Sequence, residues 1–300
     1  MNHVFCTLIK IDELDALKIE HPSFKATLLL QGAQLVEFRP QSRQFENVLW
    51  LSPSAQYKQG KPIRGGIPIC WPWFGDLDRN PAVIQDQVKQ QTPASAHGFA
   101  RSLPWEIKSI HESCHHIEIT LILTSNSASK ELWPFDFELE ATFTFSTKLE
   151  LKLRTTNTGI YSFCISQALH TYLPTEDIDR SYIHNAHSLT YIDALDNWNK
   201  KQQAGKISFN SETDRLYFFD NSNYSLRLET PNQNLLINNS NSQSAVIWNP
   251  WIEKSKRLSQ FSPQDFKHML CIETANVVTD VINIEGGKQA DICVEFILNP

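Results

Sequence analysis

The sequence predicts an all-β protein built as a large sandwich or barrel, and three observations carry the prediction. Apolar and polar side chains alternate with a period of two wherever a period can be read, strand-like stretches recur about every 8–12 residues, and long amphipathic helical patterns are nearly absent. Successive side chains of a strand point to opposite faces, so alternation marks one buried face and one wet face.

The clearest strands are residues 117–123 (IEITLIL), 137–145 (FELEATFTF), 149–154 (LELKLR) and 224–229 (YSLRLE). Less regular runs at 26–30, 163–169, 216–219, 234–237, 245–248 and 292–298 also read as strands. One short helix is expected at 262–267, with Ser262 as its cap and Pro263 at its first position. The segments 76–96 and 196–214 read as long loops, which on a β scaffold often carry function. No Pro/Gly/Ser-rich linker, repeat or low-complexity tract divides the chain, so residues 1–300 are expected to form a single domain.

An apolar content of 41% in 300 residues is ample for a core. A formal charge of −6 argues against nucleic acid or an anionic membrane as the main partner. The first 20 residues lack both a basic n-region and an apolar h-region, and no apolar run approaches membrane-spanning length. Six cysteines (6, 70, 114, 164, 271 and 293) lie far apart without a C-x-x-C spacing, which reads as buried free thiols in a reducing cytosol. A soluble cytoplasmic protein is expected, and as nothing marks an interface, a monomer.

Chemistry concentrates in a few stretches. Residues 61–76, KPIRGGIPICWPWFGD, set Arg64 beside a Gly65–Gly66 pair and the aromatics Trp71, Trp73 and Phe74. Rings beside a fixed cation suit a polyhydroxylated anion, but a tight turn over an aromatic mini-core fits equally. His97 opens HGFAR, with Arg101 four residues on; alone these are as well read as a satisfied histidine and a surface arginine. In a strand running on from Phe163, His170 shares a face with Ser166 and Ala168 and looks into a polar groove. The acidic residues 176–179 that follow are expected to raise its imidazole pKa. Glu273 is the one ionisable side chain in MLCIETA, so it is either paired, perturbed or facing solvent. Residues 245–257 bring Trp248, Trp251, Lys254, Lys256 and Arg257, and Asp214 alone reads no better than a surface aspartate.

His184-x-x-His187 and His115-His116 invite a metal, but neither has a further ligand at a useful spacing, and no metal is expected. No G-x-S-x-G, P-loop or G-x-G-x-x-G is present.

In order, KPIRGGIPICWPWFG, AHGFAR, LHTYL, the ETD of residues 212–214, WNPWIEKS and CIETA resemble the hexose-6-phosphate mutarotase branch of the aldose 1-epimerase family. The resemblance spans about residues 61–275. It implies a large antiparallel β-sandwich of the galactose-mutarotase type, no cofactor and no metal. It also implies exchange of the α and β anomers of a hexose 6-phosphate, glucose 6-phosphate first among them. Carried over by position, His170 is the general acid and Glu273 the general base. Arg64 and Arg101 are phosphate-gripping arginines, Asp214 a substrate-binding aspartate and His97 a lining of the sugar site. Relatives often have Gln before the HGFAR histidine; here that place is Ala96.

Anomer exchange opens a hemiacetal and recloses it on the other face. It needs a proton delivered to the ring oxygen while another leaves the anomeric hydroxyl, and each positioned group contributes about 10²–10⁴-fold. A histidinium at His170 and a carboxylate at Glu273, on opposite sides of the C1–O5 unit, fit those roles. Two other classes stay open: a non-catalytic carbohydrate-binding protein on the same fold, and a metal-dependent sugar-phosphate isomerase of cupin type.

Overall fold

Strict alternation folds as its period requires. Phe137–Phe145 and Leu149–Asn157 bury every second residue and pair antiparallel along their full length. In the computed structural model, which describes residues 3–43, 46–89 and 94–298, they lie inside a nine-stranded sheet. A seven-stranded sheet runs Asn199–Gln202, Thr190–Asp193, Thr213–Phe218, Ser244–Asn249, Met269–Asn276, Gln167–Pro174, Ile69–Cys70. Cys6–Ile11, Leu14–His21, Phe24–Leu29 and Leu35–Pro40 make a four-stranded sheet, and Phe163–Ile165 pairs with Ile282–Ile284. Pairing is antiparallel throughout these sheets, the all-β sandwich architecture that the alternation predicts.

One apolar cluster joins the sheets. It takes Leu139, Phe143 and Leu151 from the nine strands, Leu169, Ile247 and Ile272 from the seven, and Phe24, Leu28 and Phe38 from the four. Truncating a ring such as Phe143 to alanine costs about 3–5 kcal/mol at a site of this kind. The opposite face of the seven-stranded sheet is covered by loops. There Cys70, Ala168, Leu216, Val246 and Ala275 form a second cluster beneath Phe74 and Trp198.

Several expectations are corrected. The run from Phe163 is two strands, broken where the Ser166 N–H donates to the Pro72 carbonyl at 3.0 Å and Ser166 Oγ accepts the Phe74 N–H at 3.0 Å. The helix at 262–267 is instead a 3-10 turn, Asp265–His268. Asp265 rather than Ser262 organises it, its Oδ2 accepting the Ser262 N–H at 2.7 Å. The segment 196–214 contains the short strands Asn199–Gln202 and Ile207–Ser208. In 76–96 short helical turns occur at Leu77–Arg79 and Ala82–Gln85, and residues 90–93 lie outside the described residues. All six cysteines are free, but only Cys6, Cys70 and Cys271 are buried; Cys114 is exposed. No helix among the described residues is long and apolar enough to cross a membrane.

Candidate active site

Strand register assembles the site on the loop-covered face of the seven-stranded sheet. One row across it is Ile192, Leu216, Val246, Glu273, His170; the next is Asp214, Trp248, Cys271, Tyr172. Directly opposed residues of an antiparallel pair point to the same side, so His170 and Glu273 meet. His170 Nε2 is 3.3 Å from Glu273 Oε1. The two stand side by side on one wall, not across a substrate as the sequence reading expects. Each also has an unpartnered buried atom, Nδ1 of His170 and Oε2 of Glu273.

The pair's charge state also differs from expectation. Burial, then Arg101 and Arg64, push the His170 imidazole down to about 3, the reverse of an upward shift from residues 176–179. Burial and Asp214 hold the Glu273 carboxyl well above the usual carboxylate range. Both shifts work against the histidinium–carboxylate form expected from the sequence, although the two stand at ion-pair distance.

Two cavities meet at this pair. The first is lined by Phe74, Asp214, Trp248, Lys254, His170 and Glu273, the second by Lys58, Lys61, Arg64, Arg101, Tyr172 and Gln260, with Arg64, His97 and His170 common to both. The second wall holds four cations and, among the described residues, no carboxylate. Arg64 Nη1 donates to Tyr172 Oη at 3.3 Å, and Arg101 Nη2 to the Ala96 carbonyl at 2.7 Å, which leaves most of both guanidinium forks open. In a chain of net charge −6 this is a locally built positive site.

His97 adopts φ +64°, its Nδ1 accepting the Gly75 N–H at 3.2 Å. Burial, Arg101, His170 and Arg64 keep it neutral, so its proton is on Nε2, a donor available to a hydroxyl. Gly98 behind it has φ +68°, and a Cβ there would lie 2.0 Å from the Trp71 carbonyl oxygen, so only glycine fits. Asp214 Oδ2 is 3.7 Å from Lys254 Nζ, which also reaches Glu212 Oε1 at 3.3 Å. Burial raises the Asp214 carboxyl against the pull of Lys254.

The aromatic stretch divides. Phe74 lines the first cavity, but Trp71 and Trp73 are fully buried, their indole N–H groups donating to Thr155 Oγ1 at 3.1 Å and the Ser95 carbonyl at 3.0 Å. They are core, as the mini-core alternative has it. Tyr172, Lys58 and Lys61 join the walls without having been singled out; Tyr172 sits in LHTYL, two residues from His170 on the same strand face. His170, Cys271 and Glu273 have ligand atoms within 4.8 Å of one another, unlike the histidines of 115–116 and 184–187. The arginine charges that lower His170 also oppose a cation there.

The sequence profile of the aldose 1-epimerase family matches residues 15–292. A protein of Escherichia coli (strain K12), named as a candidate glucose-6-phosphate 1-epimerase, is 34% identical over 267 residues, 89% of this chain and 84% of its own. A solved structure of a candidate mutarotase from Salmonella typhimurium superposes with a TM-score of 0.88 at 27% identity, covering 99% of this chain and 95% of its own. A galactose 1-epimerase from Lactobacillus acidophilus shares the fold, at a TM-score of 0.74 and 13% identity over 98% of each chain.

Proposed function

The chain belongs to the aldose 1-epimerase family, isomerases that interconvert sugar anomers, and on that premise we propose that its substrate is a hexose 6-phosphate, glucose 6-phosphate foremost. The single observation that carries the phosphate is the junction of the two cavities at His170: acid–base groups on one side, four cations without a carboxylate on the other. In an aldose 6-phosphate the ring oxygen is the acetal atom nearest the phosphate arm. A phosphate on Arg64 and Arg101 therefore brings O5 to His170 and O1 to Glu273.

With the pair's proton on His170 and Glu273 ionised, His170 protonates O5 while Glu273 takes the proton of the O1 hydroxyl, and the C1–O5 bond breaks to the open aldehyde. Rotation about C1–C2 presents the other face, and the two transfers run backwards on closure. Because O1 and O5 hang from one carbon, adjacent groups 3.3 Å apart serve both. Asp214, His97 and Lys254 hold the remaining hydroxyls, and the arginines anchor the far end so that C1 alone is free to turn. The name of the Escherichia coli relative agrees with this substrate. Comparing kcat/KM for glucose 6-phosphate with that for glucose tests the reading; equal values would leave an unspecified aldose.

A further inference from the structure

Arg64, Tyr172, His170 and Glu273 form a continuous line from the cationic cavity to the acid–base pair. Arg64 donates to Tyr172 Oη at 3.3 Å, the Tyr172 and His170 rings stack with centroids 4.8 Å apart and planes 13° from parallel, and His170 reaches Glu273 at 3.3 Å. Trp50 stacks on Tyr172 at 5.8 Å, and Trp248 sets its edge against both rings at 6.2 Å, so the stack is clamped. Arg101 stands at the same cavity, steadied by the Ala96 carbonyl.

The charged and titratable groups facing His170 come from every neighbouring element: Arg64, Arg101, His97 and Tyr172 on the cavity side, Glu273 and Cys271 on the next strand, and Asp214 beyond Glu273. Burial first, and then Arg101 and Arg64, disfavour a proton on His170, while burial and Asp214 raise the Glu273 carboxyl. An anion on the arginines offsets their share of the first influence, and its own negative charge favours a cation at the imidazole that lines the same cavity.

Resting on the sugar-phosphate reading above, we propose that the phosphate dianion is an activator as well as an anchor: seated on Arg64 and Arg101 in the cavity that His170 also lines, it favours transfer of a proton from Glu273 to His170, 3.3 Å away. One proton leaves the Glu273 carboxyl and one arrives on the imidazole, so the pair's net charge is unchanged. The acid is thus armed only when a phosphorylated sugar is in place. Tyr172 is the positioning residue of this coupling, since it holds both the Arg64 fork and the plane of the imidazole.

The test supplies the substrate in two pieces. D-Xylose is glucose without its C6 group, and inorganic phosphite is a small dianion. Protein-dependent anomer exchange of xylose is followed with and without phosphite at matched ionic strength, with the protein-free rate subtracted. Saturating phosphite should raise the rate at least about tenfold, within the 10²–10⁴ that a positioned proton donor contributes. The response should vanish in Arg101→Ala. In Tyr172→Phe the phosphite-stimulated rate should fall while phosphite still inhibits glucose 6-phosphate turnover. Phosphite that competes with glucose 6-phosphate but leaves xylose exchange unchanged or slower overturns the activation and spares the substrate reading. Phosphite that does neither overturns both.

Discussion

His170 and Glu273 face each other across adjacent antiparallel strands, Nε2 to Oε1 at 3.3 Å, on the loop-covered side of the seven-stranded sheet. On the proposed mechanism, groups so placed act on one hemiacetal as a unit. His170→Ala and Glu273→Gln should each lower kcat on glucose 6-phosphate by about 10²-fold or more, with smaller changes in KM. The double variant should lose far less than the product of the single losses. Turnover near wild type in either single variant removes that residue from the chemistry.

Glu273 should also weaken the fold it serves. Its carboxyl is raised by burial and by Asp214 above the ordinary 4.5, so the native state holds a proton that the unfolded chain releases as pH rises past that value. Stability from this group is therefore present at low pH and lost as pH rises. Glu273→Gln, which stays neutral, should raise Tm at pH 7 by about 2 °C or more, and the gain should shrink toward pH 4. A lower Tm at pH 7, with the gap unchanged at pH 4, contradicts this.

Arg64 and Arg101 line one cavity without a carboxylate partner among the described residues. Charge-assisted hydrogen bonds run about 1.5–3 kcal/mol each, so removing either fork should cut the preference for glucose 6-phosphate over glucose, as a ratio of kcat/KM, by about 10–150-fold. Lysine should restore only part of it, lacking the planar fork. If both sugars lose activity equally, the arginines shape the cavity and do not read the phosphate.

Gly98 and Gly60 have nearly the same backbone, φ +68° and +69°, but different surroundings. Alanine at Gly60 meets nothing within 4 Å and should cost about the 1–2 kcal/mol of the left-handed conformation alone. At Gly98 it would collide with the Trp71 carbonyl, shifting His97 and Arg101 with the loop. Chemical denaturation should show Gly98→Ala the more destabilised, with a raised KM; equal losses would mean that the close approach does not matter.

Strands were legible where one face is buried in strict alternation, as in Phe137–Phe145. Leu14–His21 and Leu35–Pro40 bury adjacent residues as well, which blurs the period, and both escaped the reading. Ala82–Gln85 and Trp251–Ser255 are one turn long, too short for a helical period to register. The candidate acid and base were readable as chemical oddities in apolar runs. Tyr172 and the lysines were not, because the hydrogen bond from Arg64 to Tyr172 crosses 108 positions of sequence and only folding brings the two together. The direction of the His170 shift is hidden from the sequence for the same reason: residues 176–179 are close along the chain, whereas burial and the approach of Arg101 and Arg64 arise only in space. For Trp71 and Trp73 the sequence leaves a sugar platform and a buried mini-core equally open, and only packing decides for the core.

The most direct test of the account is anomer-resolved NMR exchange on glucose 6-phosphate at neutral pH, with micromolar protein and EDTA present. The α and β forms should interconvert far faster than in protein-free buffer, at a rate proportional to protein and indifferent to the chelator. Exchange no faster than the spontaneous rate, or conversion of the aldose to a ketose that stops with EDTA, would contradict the account at its centre.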